Sequence, residues 1–155
     1  MAAAAGELDP RTYVLKGLPM RYAMFMYPGI EEADWTPDAE AVAAMTAFNE
    51  ELTKAGVLLA LDGLHPPAEG ARVRFAGGQP LATDGPFAET KEIVGGYWLI
   101  DVASKQDAVD WAKRCPAGEH DMIEVRRVFE MADFPEDVQA AGVLSTPPPE
   151  QTAAS

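Results

Sequence analysis

The centre of the chain reads Thr83-Asp84-Gly85-Pro86-Phe87-Ala88-Glu89-Thr90-Lys91-Glu92. This stretch combines the turn-forming triplet Asp84-Gly85-Pro86 with one aromatic side chain, three acids and one base. It separates two runs that predict strands, and it matches none of the common motifs for a metal, a phosphate or a nucleophilic serine. The stretch therefore indicates a fold more clearly than it indicates a reaction.

Strand patterns lie on both sides of this stretch. Residues 71–75 alternate between polar and apolar side chains, and Gly77-Gly78 predicts a hairpin turn that returns through residues 79–83. Residues 93–102, on the other side, are rich in aromatic and β-branched residues and form the strongest predicted strand. The apolar run 57–61 predicts a buried strand ahead of the hairpin.

Two helices complete the pattern. The sequence predicts the first over residues 37–55, with Thr36 as its N-cap and Gly56 as its left-handed C-terminal cap. Ser104 predicts the start of the second, with Asp107 three positions later as in a capping box, and Pro116 ends it.

The first and last strands in chain order are predicted at residues 20–27 and 122–131, the last of them central in the sheet. In the last strand, the side chains expected to face the helices are Ile123, Val125 and Phe129. Those expected to face away from the helices are Glu124, Arg126 and Glu130.

The element order, without the hairpin strands, is that of an α+β fold: a ferredoxin-like split β-α-β sandwich with an inserted β-hairpin. Both helices would cover one face of an antiparallel sheet. The other face would need a cover, and a two-fold homodimer with sheet facing sheet would provide it. Polar residues on that face then predict a partly polar, ligand-sized cavity between the sheets. A solvated ladder of ion pairs is an equally good interpretation.

Composition narrows the functional class. The formal charge of −13 disfavours binding to nucleic acid, because the acidic surface repels phosphates. Two histidines and one cysteine do not make a typical zinc site or an internal disulfide. Without a signal peptide or a membrane-length apolar run, a cytoplasmic location is expected, with no membrane partner. The expected organisation is a loosely ordered extension over 1–19, a domain over 20–131 and a largely disordered tail over 132–155.

The nine residues 84–92, followed by Gly95-Gly96-Tyr97, resemble the hallmark of the YCII-related, DGPF-domain family. Residues 20–27, Gly63-Leu64-His65-Pro66 and Glu124-Val125-Arg126 add similarity, so the resemblance covers about residues 20–131. It implies a dimeric α+β barrel of bacterial origin.

What the family resemblance implies about function is less uniform. Some members are associated with extracytoplasmic-function sigma factors. One distant branch contains a dehydrochlorinase that uses neither a metal nor an organic cofactor and places a histidine on the first helix. The corresponding region here, around Met45, has no histidine.

His65 and Asp84 are the candidate catalytic pair. If the hairpin folds back, their loops meet at one edge of the sheet, where a histidine oriented by a carboxylate would be a general base near neutral pH. The alternative is that Asp84 bonds turn amides and His65 is an exposed loop residue. Six further residues are candidates for ligand binding: Tyr27, Phe87, Glu89, Lys91, Tyr97 and Arg126.

Three functional hypotheses follow. The first is a small-molecule-binding homodimer, accessory to sigma-factor regulation. The second is a cofactor-independent lyase or isomerase that uses His65 and Asp84 in acid–base catalysis. The third is a structural interaction module. None of them requires a metal or a cofactor.

Overall fold

A computed structural model describes residues 20–31, 34–87 and 92–142. It confirms the predicted α+β class. The helices and strands are β1 (Arg21–Tyr27), α1 (Ala39–Lys54), β2 (Leu58–Gly63), β3 (Ala71–Ala76), β4 (Gln79–Asp84), β5 (Gly96–Asp101), α2 (Lys105–Lys113), β6 (Met122–Arg127) and α3 (Glu136–Ala141). Single turns of 3-10 helix lie at Pro67–Glu69 and Met131–Asp133. The predicted extension over 1–19 lies outside the described residues, as does the part of the predicted tail beyond 142.

Four strands form one antiparallel sheet in the order β2-β5-β1-β6. The first and last strands in the chain order, β1 and β6, are neighbours, and β5 joins β1 to β2. The register slips between Leu58 and Ala60 in β2, which leaves Leu59 in a bulge. The hairpin of β3 and β4 is a separate two-stranded sheet.

The helices α1 and α2 pack on the same face of the four-stranded sheet. Met24 and Ile100 on the sheet and Leu52 on α1 are completely buried, and Ala108 brings α2 into the same cluster. The ring of Trp98 meets that of Phe48 edge-on, with 5.8 Å between their centroids. The indole Nε1 of Trp98 donates a hydrogen bond of 2.8 Å to Oδ1 of Asn49 on α1. This bond removes the cost of burying an indole N–H among apolar groups.

The helix ends follow local chemistry. Ser104 caps α2 by accepting a hydrogen bond from the Asp107 amide, as predicted. Gly56, just after α1, has the positive φ of +73° that the sequence pattern anticipates. The prediction of Thr36 as the cap of α1 is wrong, because the side chain of Asp38 accepts from the Ala41 amide at 2.8 Å.

The last strand is shorter than the sequence pattern predicts, since β6 ends at Arg127. Ile123 and Val125 pack against the core as expected. Phe129 does not, and it lies beyond the end of the strand; its ring is 72% exposed and stacks on Phe134 at 4.9 Å between centroids. Beyond it, Glu130 forms a two-pronged ion pair with Arg21, with N–O distances of 2.7 and 3.1 Å.

Candidate functional site

The face of the four-stranded sheet that points away from the helices is the candidate site, and we call it the open face. Strand register aligns one row of side chains across it, Asp62, Tyr97, Phe25 and Glu124 on β2, β5, β1 and β6. The adjacent row reads Ala60, Leu99, Ala23 and Arg126. In both rows, the side chains on β1 and β5 are half-buried, whereas those of Asp62, Glu124 and Arg126 are exposed. The open face therefore has an apolar, aromatic centre and charged edges.

A phenol–carboxylate pair occupies the β2 edge of this row. The Tyr97 hydroxyl donates a hydrogen bond of 2.6 Å to Oδ2 of Asp62. This bond raises the pKa of Tyr97, because the carboxylate favours the protonated phenol, and its negative charge acts in the same direction. Tyr97 is therefore held as a neutral phenol whose single proton is committed to Asp62. Its oxygen lone pairs and the second carboxylate oxygen of Asp62 can accept hydrogen bonds.

Tyr27 lies at the opposite side of the open face, near the start of β6. Its pKa is raised first by desolvation and then by the carboxylates of Glu124 and Glu92, while the positive charge of Arg126 acts the other way. Tyr27 thus stands among two acids and one base. Of the ligand-binding candidates, the strand register places Tyr27, Tyr97 and Arg126 together on this face.

His65 lies in the loop after β2 and Asp84 ends β4, and the segments that follow these predicted catalytic residues meet. The Gly85 amide donates a hydrogen bond of 2.9 Å to the Gly70 carbonyl, and a Cβ built on Gly85 would lie 1.7 Å from the Pro67 carbonyl oxygen. Only glycine fits so close to the Pro67 carbonyl, and the turn after Asp84 therefore packs directly against the loop after His65. The side chains of His65 and Asp84 are both exposed and share no hydrogen bond or ion pair. Their acid–base pairing stays a prediction.

Phe87, a further ligand-binding candidate, lies at the base of the hairpin. The guanidinium of Arg72 stands 3.9 Å above the centroid of the half-buried Phe87 ring. Phe87 thus has a partner within its own chain, in a position that joins the hairpin to the loop after it. Glu89 and Lys91 lie outside the described residues.

The sequence pattern did not identify Asp62 as a site residue, although it accepts the 2.6 Å hydrogen bond from Tyr97. Two local signals bear on it. Asp62 follows directly on an apolar strand, and Tyr97 opens the strongest one, so antiparallel pairing of β2 with β5 would bring them together. The pairing itself is separated by 35 positions in the chain. Glu92 and Phe25 were likewise not predicted to belong to this site.

A concavity of about 760 Å³ lies elsewhere, between α2 and the edge strand β6. It is lined in part by Lys105, Lys113 and Cys115. Burial, with a smaller contribution from the Asp121 carboxylate, raises the pKa of the Cys115 thiol to about 11. The thiol is therefore protonated near neutral pH and is a poor nucleophile there.

The described residues offer neither a cluster of metal ligands nor a membrane-spanning helix. Across residues 20–31, 34–87 and 92–142, no three His, Cys, Asp or Glu side chains converge in a way that could hold a metal ion. Within the same ranges, none of the helices has the length and apolar character that crossing a bilayer requires.

Comparison with known proteins gives two matches. The sequence model of the YCII-related domain matches residues 20–132. The chain is also 37% identical over 76 residues to a protein of Rhizobium meliloti (strain 1021) named Uncharacterized protein R00369. That alignment covers 49% of this chain and 61% of the relative, so the similarity spans less than two thirds of the relative's length.

Proposed function

The chain belongs to the YCII-related domain family, and from that premise we propose that it binds a small molecule on the open face of its sheet. The observation that carries the proposal is the 2.6 Å hydrogen bond between Tyr97 and Asp62. A phenol and a carboxylate held together on a half-buried aromatic surface are a recognition element for a polar ligand.

The chemistry of the open face indicates the kind of ligand. Tyr97 and Asp62 present hydrogen-bond acceptors at the β2 edge, whereas the Arg126 guanidinium presents donors on β6. Phe25 and Tyr97 supply aromatic rings between these edges. Three strand spacings separate β2 from β6, a distance of about 14 Å. We therefore propose a hydroxylated, flat or aromatic small molecule as the ligand class.

The proposal includes a homodimer. In it, the four-stranded sheet and its helices form a ferredoxin-like unit, and two units pack with their open faces together as a dimeric α+β barrel. The half-buried side chains of Ala23, Phe25 and Leu99 support this arrangement, because one chain leaves them partly exposed to water. Enclosure would also strengthen the hydrogen bonds that Tyr97 and Asp62 make to a ligand.

A thermal-shift screen against small hydroxylated aromatic compounds tests the binding proposal. A compound that raises the melting temperature of the wild type should lose most of its effect on Asp62→Asn and Tyr97→Phe. Asp110→Asn is the matched control, since Asp110 accepts a side-chain hydrogen bond from Gln106 on exposed α2, away from the open face. Equal shifts in all four proteins, or no active compound in the screen, would count against the proposal.

An enzyme that uses His65 and Asp84 is the second candidate function, favoured by the close seating of the Asp84-Gly85 turn on the loop after His65. If this candidate is right, His65→Ala and Asp84→Ala will abolish turnover of a compound from the screen while its binding persists. Turnover that survives both substitutions would exclude the pair. A role beside an extracytoplasmic-function sigma factor is also proposed, and co-purification of such a factor with the native protein would test it.

A further inference from the structure

The hairpin of β3 and β4, residues 71–84, is almost entirely exposed and packs little against the rest of the described structure, and we call it the arm. Its strands pair only with each other and form a sheet of their own. At its base, the flanking residues Gly70 and Gly85 are joined by a hydrogen bond, and Arg72 contacts Phe87 in the segment that follows. A two-stranded hairpin alone in water is only marginally stable, so packing against another surface would stabilise the arm.

One side of the arm is apolar. Strand register places Val73 opposite Ala82 and Phe75 opposite Pro80, so these four side chains share a face. Phe75 is 83% exposed and Val73 is 54% exposed. On the other side, next to Arg74, Leu81 is 68% exposed. An aromatic ring this exposed on a projecting hairpin is typical of an interaction surface rather than of a solvated one.

Charge identifies a second copy of this chain as a suitable partner. The arm carries two arginines and one aspartate, a formal charge of +1, in a chain whose formal charge is −13. Two copies of such a chain repel each other over most of their surfaces. The arm can instead attract the acidic surface of a second copy, because the side chain of Arg74 is exposed and has no ion-pair partner among the described residues.

The length of the arm and its position in the chain indicate the open face of the second copy as the surface that it contacts. The arm is inserted between β2 and β5, at the end of the sheet where Gly63 pairs with Gly96 and Asp62 with Tyr97. Six-residue strands extend about 20 Å, which exceeds the roughly 10 Å between stacked sheets. The apolar side of the arm matches the apolar centre of the open face, formed by Ala23, Phe25 and Leu99.

We propose that each arm crosses to a second copy of the chain and packs Val73 and Phe75 against that copy's open face. The ligand site of one protomer is then completed by Phe75 of the other. This inference rests on the proposed function, since it assumes that the open faces of two copies meet.

Sedimentation of the full-length protein tests the arm directly. Phe75→Ser should raise the dimer dissociation constant about tenfold or more, while far-UV circular dichroism stays unchanged because Phe75 makes few contacts in its own chain. Val42→Ser is the matched control, a 49% exposed apolar residue on α1, and it should leave the constant unchanged. A dimer that Phe75→Ser does not weaken would overturn the arm inference and leave the proposed dimer intact. A monomeric wild type would overturn both.

A disulfide trap tests where the arm lies. In a Cys115→Ser background, protein carrying Phe75→Cys is mixed with protein carrying Ala23→Cys and oxidised. A mixed disulfide dimer supports the proposed contact, since neither protein alone contains both thiols. The same experiment with Val42→Cys in place of Ala23→Cys should give none. If Phe75→Cys instead links only to itself, the arms pack on each other and the placement on the open face is wrong.

Discussion

The hydrogen bond between Trp98 and Asn49 allows a sharp test of how the sheet is fixed to α1. Trp98 is only 5% exposed, and its indole N–H is satisfied by Asn49 at 2.8 Å. Asn49→Ala leaves that donor buried without a partner, which costs about 1–3 kcal/mol. Alanine is also a better helix former than asparagine by up to about 0.7 kcal/mol, which offsets part of the loss. We expect a net destabilisation of about 1–2 kcal/mol, or a fall in melting temperature of roughly 2–8 °C.

A double-mutant cycle separates the two effects. In a Trp98→Phe background there is no indole N–H to satisfy, so Asn49→Ala should be neutral or slightly stabilising through helix propensity alone. Urea unfolding followed by far-UV circular dichroism measures all four free energies of unfolding without depending on Trp98 fluorescence. A coupling energy below about 0.3 kcal/mol would show that the hydrogen bond does not hold β5 to α1.

Three further predictions follow from the structure. Asp62→Asn should lower the pKa of Tyr97 towards its ordinary value, seen as earlier phenolate absorbance in an alkaline titration; an unchanged titration would mean that the bond is absent in solution. Burial raises the pKa of the Cys115 thiol to about 11, so the folded state binds the thiol proton more tightly than the unfolded state does. The protonated thiol therefore adds to the free energy of unfolding below the unfolded-state pKa of about 9. This contribution is lost as the pH rises from about 9 to about 11. Cys115→Ala should therefore flatten the alkaline fall in the free energy of unfolding, and an identical fall in both proteins would contradict this. Leu52→Ala, at a fully buried position, should cost about 2–5 kcal/mol, whereas Val42→Ala at a 49% exposed one should cost about 0.5 kcal/mol or less in the same urea assay; similar costs would mean that the core lies elsewhere.

The parts of the fold that could be predicted from sequence are those with local causes. The aromatic-rich run of residues 20–27 predicts β1 because aromatic side chains favour strands. Ser104 caps α2 because its side chain reaches an amide three residues away. Gly77 and Gly78 form the arm's turn because both adopt positive φ. Each of these signals lies within a few residues of the structure it determines.

Long-range contacts explain what the sequence pattern missed. The predicted strand runs to Met131, but β6 ends at Arg127; beyond it, Glu130 pairs with the distant Arg21 and Phe129 stacks on Phe134. The Tyr97–Asp62 bond depends on the register of β2 with β5, which a bulge in β2 shifts by one residue. No property of residues 58–63 alone reveals that shift.

The position of the arm within the chain affects which insertions and deletions this protein can tolerate during evolution. β2 and β5 are already neighbours, and the arm joins their adjacent ends, where Gly63 meets Gly96. Residues can be added to or removed from the arm without altering that register or the packing of the helices behind it. Selection can therefore reshape the arm while the sheet and its core stay constant. New binding preferences can arise at this insertion without a loss of foldability.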